Sequence, residues 1–591
     1  VQSGLRQLGS AGTALKGYVT YSRIDNDKWK GAGQRFSPAA DVLLGQRGFL
    51  FGTGETWQDH LNAKLVGYAG GHILTAYYSL ADRKEADYVD LSLRRFRAEG
   101  RDADQFLTWP EAQRGATSAL TDEAYFKSAQ GARRDHLGYL KADLKLGEGA
   151  RLEVQPYVHT NRGAGDWHAP SYGASWSPDP IYFRQTQYES ERVGLNARVR
   201  AALGANQLEA GLWVERNDSR IRRVGWRLAN YASGPTVNFD NVLRLFFDRT
   251  GVLTNTMAYV QNTTSLARDR VRLTYGAKLL RIGADFRNNG ATIAGAASSP
   301  DATRPGFSFP LEPQILPQFG AVVRATETEE LFATASTNVN AFPYSPQGGI
   351  YNTAPGTNNV NWQFFRDTVD PERATTIEVG GRTRRERFEA GVTAYTIDYR
   401  NRLIGVAVCP LTATCAGSFN NVGSVSSRGV EGLFVLKPAT GVTWFNSASY
   451  NVATIDQDYQ TNPQDARTLV RARGKDVVDA PRLLANSRVT WARGPFSLNV
   501  GGRFIDRRHF TIENVDSLAV PSATVVDAGA GYRWTNLGRL RELSLQLNVT
   551  NLTDASFIST IGSGGFTIRD DVQTLLSAPR RLVFLTVGTR W

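Results

Sequence analysis

Two segments of this 591-residue chain concentrate side chains that could hold a ligand: DWHAPSYGASW, from Asp166 to Trp176, and NWQFFRD, from Asn361 to Asp367. In the first, Trp167, His168, Tyr172 and Trp176 offer rings for stacking and an imidazole. In the second, Trp362, Phe364, Phe365 and Arg366 offer rings beside a guanidinium, suited to an anionic or chelated small molecule. Both read as exposed segments, where core burial does not explain so many rings. The competing reading is packing of loop against loop, or a girdle where a loop re-enters a membrane.

Covalent chemistry has no comparable signature. HExxH, a Walker A lysine loop, a GxSxG elbow and a GxGxxG turn are all absent from the sequence. The pair Asp25 and Asp27 stands in DNDKWKG, where Trp29 occupies a calcium-loop ligand position, so a solvated loop is expected. The histidines are dispersed, and His159 with His168 is the pair that could meet at a lumen or loop site. This reading assigns no catalytic residue, no metal and no cofactor. Cys409 and Cys415, in VCPLTATC, suit a loop-tip disulfide in an oxidising compartment, with two free thiols as the alternative.

The elements that would position these segments are strands. In RLVFLTVGTRW, from Arg581 to Trp591, Val583, Leu585, Val587, Thr589 and Trp591 fall on one face, and Leu582, Phe584, Thr586, Gly588 and Arg590 on the other. An apolar, aromatic-ended terminal strand of this kind suits an outer-membrane β-barrel, with Trp591 in the interfacial aromatic girdle. Phe584 and Trp591 are the candidate residues of a C-terminal membrane-insertion signal. Upstream, Leu543, Leu545, Leu547 and Val549 alternate with Ser544, Gln546, Asn548 and Thr550, and Leu152, Val154 and Val158 with Glu153, Gln155, Tyr157 and His159.

Tight connections recur at 69–71, 147–149, 203–206, 267–270, 325–329, 384–387, 437–441 and 493–495. Between them lie long polar or aromatic stretches, among them 83–133, 161–188, 222–250, 343–371 and 404–419. Short turns on one side and long loops on the other predict an all-β chain: a large antiparallel up-and-down transmembrane barrel of about 20 strands. No run of about 18 apolar residues occurs, so no transmembrane helix is expected. A mean hydropathy of −0.33 agrees with strands that show lipid only every second residue.

The net charge of +12 is spread through segments such as RFRAEGRDAD and RTRRERFEAG, with acids interleaved. That pattern argues against nucleic acid as a partner and for basic rims that face anionic lipid headgroups or an anionic ligand.

The chain resembles the TonB-dependent outer-membrane receptors. The resemblance rests on segments in order: YVTYSRIDNDKWKGAG (Tyr18 to Gly33), GLWVERN (Gly211 to Asn217), LPQFGAVVRATETEELFATASTNVNAF (Leu316 to Phe342), PERATTIEVGGR (Pro371 to Arg382) and AYTIDYRNRL (Ala394 to Leu403). NNVGSVSSRGVEG (Asn420 to Gly432), DAPRLLANSRVTW (Asp479 to Trp491), NVTNLTDASF (Asn548 to Phe557) and APRRLVFLTVGTRW continue it to the end. The resemblance implies a 22-strand barrel with a plugged lumen. It also implies residence in the bacterial outer membrane and uptake of a scarce ligand, a ferric siderophore or similar chelate, by TonB-derived energy. Implied partners are the ligand, outer-membrane lipid and lipopolysaccharide, the barrel-assembly machinery, and the TonB complex acting through a plug. No segment here resembles the plug or its coupling box. The expectation is therefore a single barrel domain over residues 1–591, with the plug and the first strand or two encoded upstream. The alternative is a naturally plugless, porin-like passive channel.

Overall fold

The structure, a computed structural model, describes residues 13–27, 35–36, 50–51, 55–86, 93–101, 109–115, 125–171, 174–289, 296, 306–340, 370–407, 417–460, 469–561 and 575–590. A single 20-stranded sheet dominates it. The strands are β1 Thr13–Asp27, β2 Glu55–Ala69, β3 His72–Ala86, β4 Tyr125–Gly147, β5 Ala150–Pro170, β6 Ile181–Leu203 and β7 Asn206–Leu228. Next come β8 Val237–Leu266, β9 Val271–Asn288, β10 Phe307–Arg324, β11 Glu329–Asn340, β12 Glu372–Arg385, β13 Phe388–Arg400 and β14 Val425–Leu436. The series ends with β15 Val442–Ile455, β16 Leu483–Arg493, β17 Phe496–Ile505, β18 Ala523–Leu537, β19 Leu540–Thr550 and β20 Leu582–Arg590. Each pairs antiparallel with the next in chain order, as an up-and-down barrel requires. No helix among the described residues is long and apolar enough to cross a membrane.

The alternation read in the sequence becomes two faces of one wall. Val583, Leu585 and Val587 on β20 pair with Val549, Leu547 and Leu545 on β19, and directly paired residues share a face. All three β20 residues are more than 60% exposed, with Leu585 at 64%, as a lipid-facing surface must be. Phe584 and Asn548 pair on the opposite, lumen-facing side. A spanning sheet has to satisfy every backbone N–H and C=O through its ladders, since hydrocarbon offers no partners.

Every second connection is tight: β2 passes to β3 through Gly70 and Gly71, whose φ values of 56° and 83° lie in the left-handed region that glycine tolerates. On the other side the connections are built up. The stretch between β3 and β4 carries two short helices, α1 Leu93–Glu99 and α2 Trp109–Gly115. Leu93 packs with Phe510, Val520, Ile558 and Leu575 from the β17–β18 and β19–β20 connections. Arg101 pairs with Asp554 at 2.6 Å, and Ser577 donates to the Arg101 carbonyl at 2.8 Å.

Two stretches expected as long loops are mostly strand. β5 runs on to Pro170 and β6 begins at Ile181; β7 runs to Leu228 and β8 begins at Val237. The polar residues that suggested loops, from Asn161 to Tyr188 and from Arg222 to Thr250, instead form strand ends that continue past the apolar band, where packed side chains rather than lipid cover both faces. Cys409 and Cys415, Tyr172, Trp362, Phe364, Phe365, Arg366 and Trp591 lie outside the described residues.

Candidate functional site

The wall formed by β5 to β8 gathers aromatic and charged side chains, and the strand register decides which of them meet. On β7, Leu208, Ala210, Leu212 and Val214 share a face with Val193, Leu195, Ala197 and Val199 of β6. This is the lipid-facing band. Farther along the same face, residues 216, 218, 220 and 222 read Arg, Asp, Arg, Arg, which marks where the strands leave the hydrocarbon.

The lumen-facing side of the same strands is polar throughout. Tyr157 donates to Glu215 at 2.6 Å and accepts from the Trp213 indole at 2.9 Å. Glu153 pairs with Lys141 at 2.6 Å and with Arg198 at 2.9 Å, and Tyr259 donates to Glu209 at 2.6 Å. Here Lys141, Arg198 and Arg200 each have a carboxylate partner.

Toward the strand ends beyond the band that balance fails. Trp167 on β5, Arg184 on β6, Gly225 on β7 and Arg244 on β8 are partners in one row across the four strands. The next row holds Gly165, Thr186, Arg223 and Phe247, and Ile221 pairs with Arg249 in the row after that. The guanidiniums lie over rings: Arg184 is 5.0 Å from the Trp167 centroid, Arg223 5.0 Å and Arg249 4.4 Å from Phe247. Arg244 is 5.2 Å from both Trp176 and Phe246. Trp176, Tyr182 and Phe246 pack together, with Trp176 edge-on to Tyr182 at 4.9 Å. Gly225 makes that packing possible, because a Cβ there would sit 3.0 Å from the Tyr182 ring and 3.1 Å from Phe246.

Among the described residues, no carboxylate pairs with Arg184, Arg223 or Arg244. Arg223 donates to the Thr186 hydroxyl at 2.8 Å, while the Nε atoms of Arg184 and Arg244 are buried without a hydrogen-bond partner. Burial, reinforced by the neighbouring Arg184 and Arg249 guanidiniums, pushes the Arg223 pKa down to about 9. Burial likewise lowers Arg244. At about 9, Arg223 remains cationic at neutral pH. The carboxylate nearest in sequence, Asp248, belongs to the other face, where Arg220 reaches it at 2.7 Å and Arg222 at 3.9 Å.

That other face explains His168. It lies one residue from Trp167 on β5 and therefore points to the opposite side, where it is buried, 4% exposed, between the rings of Trp109 and Phe183. Its Nε2–H donates to the Pro235 carbonyl at 3.0 Å, and burial drives its pKa down to about 4. α2 closes this core: the Trp109 indole donates to the Tyr231 carbonyl at 2.9 Å, and Trp109 and Ala112 pack with Ile181, Phe183 and Leu228. The structure thus brings Trp167 and Trp176 together on the lumen-facing wall and separates His168 from them. His159 is also apart, near Asp135 at 3.3 Å and partly exposed. The sequence reading did not single out Arg184, Arg223, Arg244 or Arg249. Their signal is arginine and aromatic residues spaced by two, as in RLFFDR, which in one strand looks like an ordinary solvated charge run.

Comparison with known proteins fits this geometry. A family model described as TonB dependent receptor-like, β-barrel, matches residues 62–552. The chain belongs to that family. As a TonB-dependent receptor barrel it is an outer-membrane β-barrel, and members of the family are transport receptors that bind small-molecule ligands and interact with TonB. The ferrioxamine B receptor of Salmonella typhimurium is 28% identical over 150 residues, which is 24% of this chain. The matched stretch spans only 20% of that relative's length. Among solved structures, the ferric yersiniabactin uptake receptor FyuA from Yersinia pestis aligns with a TM-score of 0.65 at 13% identity, covering 99% of this chain and 76% of that one. The siderophore receptor PiuA from Acinetobacter baumannii also scores 0.65 at 13% identity, covering 99% of this chain and 78% of that one. At such identities the likeness is one of fold.

Proposed function

We propose that this protein is an outer-membrane receptor for active transport, which binds a ferric siderophore or similar chelate at its extracellular strand ends and lumen and imports it with TonB-derived energy. The observation that carries the reading is the lumen-facing wall of Trp167, Arg184, Arg223, Arg244 and Trp176, set in a barrel of the TonB-dependent receptor family. A receptor needs donors and rings left open for one ligand, as on this wall. Coupling to TonB would act through a plug, lipid and lipopolysaccharide would surround the apolar band, and the barrel-assembly machinery would insert it. No bond is made or broken in this scheme, so the protein acts as a transporter and not as an enzyme.

Uptake by cells carrying the native gene in a receptor-deficient host tests the reading. Radiolabelled ferric chelate should accumulate under iron limitation, and a protonophore should abolish accumulation. Uptake that persists undiminished with the protonophore would instead support the porin-like passive channel.

A further inference from the structure

We infer that the β5–β8 wall selects a ferric chelate of net negative charge, one that presents carboxylate or catecholate oxygens, over neutral or cationic iron complexes. The inference rests on the transport reading above and narrows its ligand class. Most other cations on these strands meet a carboxylate, as Arg198 does Glu153, Arg200 Glu209, Arg216 Asp218 and Arg220 Asp248, and Arg192 is exposed to water. Arg184, Arg223 and Arg244 break that rule together, side by side in two adjacent rows on one face.

Like charges gathered in a partly desolvated site repel, and a buried donor without an acceptor forfeits its hydrogen bond. A ligand that supplies oxyanions relieves both penalties at once, whereas a cationic complex would deepen the first. Guanidiniums also need orientation, and here rings provide it. Each of the three lies over an aromatic side chain at 5.0 to 5.2 Å, and none of their N–H groups meets a carboxylate among the described residues. The arginines face the lumen, away from lipid, so a lipid headgroup phosphate is not in position to serve as the anion. Arg249, 6% exposed and over the same Phe247 ring, extends the positive field beneath them.

The test measures quenching of tryptophan fluorescence in the full chain, folded in detergent, by ferric citrate, by a ferric tris-catecholate and by ferrioxamine B, whose free amine makes it cationic. Inorganic phosphate serves as the iron-free anion. The inference expects an anionic complex to bind and ferrioxamine B to bind at least about tenfold more weakly, a difference near 1.4 kcal/mol. The double variant Arg184→Gln/Arg244→Gln should lose about tenfold or more in affinity for the anionic complex, and the matching Lys variant should lose less. Heat-modifiable gel mobility checks that each variant is folded. The unsubstituted chain gives a second readout that needs no variant: anionic binding should weaken as the Debye length falls from ~30 Å to ~8 Å with added salt.

Ferrioxamine B binding as tightly as the anionic complexes would overturn the inference, as would salt-insensitive binding or a folded Gln variant of unchanged affinity. Phosphate binding alone, with no iron complex bound, would overturn it too. The transport reading fails separately: arginine-dependent binding of an anionic complex without protonophore-sensitive import leaves the wall intact and removes the pump. Energised import of a chelate that ignores these arginines does the reverse.

Discussion

β5 to β8 and β16 to β20 are parts of one sheet, yet they solve different problems. The first group runs to 21, 23, 23 and 30 residues per strand, whereas β16, β17, β19 and β20 have 11, 10, 11 and 9. Crossing the hydrocarbon takes about 9 to 11 tilted residues, so the short strands do little more than span. The long strands spend the remainder in water, where the lipid-facing parity turns from Leu, Ala and Val to Arg, Asp and Glu. There the sheet acquires a second packed side, the α2 core around His168, and the opposite side becomes free to carry the arginine wall. Length beyond the membrane is what gives a spanning strand room for a second packed face and the arginine wall.

The sharpest way to break this contrast is to remove the support of the extension. Trp109→Ala deletes a buried indole and its hydrogen bond to the Tyr231 carbonyl, and should lower local stability by about 3–5 kcal/mol. Hydrogen exchange should accelerate around Ile181, Phe183 and Leu228 and stay unchanged in β16 to β20. Equal acceleration in both regions would show that the extension is not a separate unit.

A charge placed on the same face of the two regions should have opposite consequences. Leu585→Arg puts a guanidinium in lipid on β20 and should destabilise the barrel by about 2–4 kcal/mol in vesicles, followed by guanidinium titration. Glu191→Arg on β6, on the lipid-facing parity but above the apolar band, should change stability by less than about 0.5 kcal/mol.

Acid should act on the extension through His168. His168 is neutral in the fold, with its pKa near about 4 against about 6.5 when unfolded, so between those values the unfolded state binds the extra proton. Stability of the α2 core is therefore intact above about pH 6.5, falls as pH drops toward 4, and levels off below that; the total loss is on the order of 3 kcal/mol. His168→Phe should flatten the profile. Proteolytic susceptibility of the α2 segment across that range measures it.

The smallest effect is expected at Arg216. It pairs with Asp218 at 2.7 Å on an exposed surface, and Arg216→Ala should leave the chemical-denaturation midpoint within error of the parent. A larger loss would mean that the outer ion pairs, and not α2, hold the extension together.

Much of the barrel was readable because a strand's period is two and a turn's chemistry is local. Val583, Leu585 and Val587 could be set on one face from the sequence alone, and Gly70 and Gly71 announced a tight turn. The extension was not readable as strand. Asn161 to Tyr188 mixes polar and aromatic residues on both faces because both are packed, and a strand covered on both sides carries no hydrophobic alternation to distinguish it from a loop. Trp167 and Trp176 stood out as aromatic residues in a polar stretch. His168 stood out for the same reason, but it packs on the opposite side.

Sequence alone determined the fold class, the lipid-facing band and the family, since each follows from patterns within single strands and their order. Only the tertiary structure decided what sits beside what. Arg184, Arg223 and Arg244 come from three strands, and their alignment depends on ladder register, which shifts between Val242 and Arg244 and again between Leu245 and Phe247. A shift of one residue sends a side chain to the other face, so no single-strand pattern could have placed these arginines over their rings.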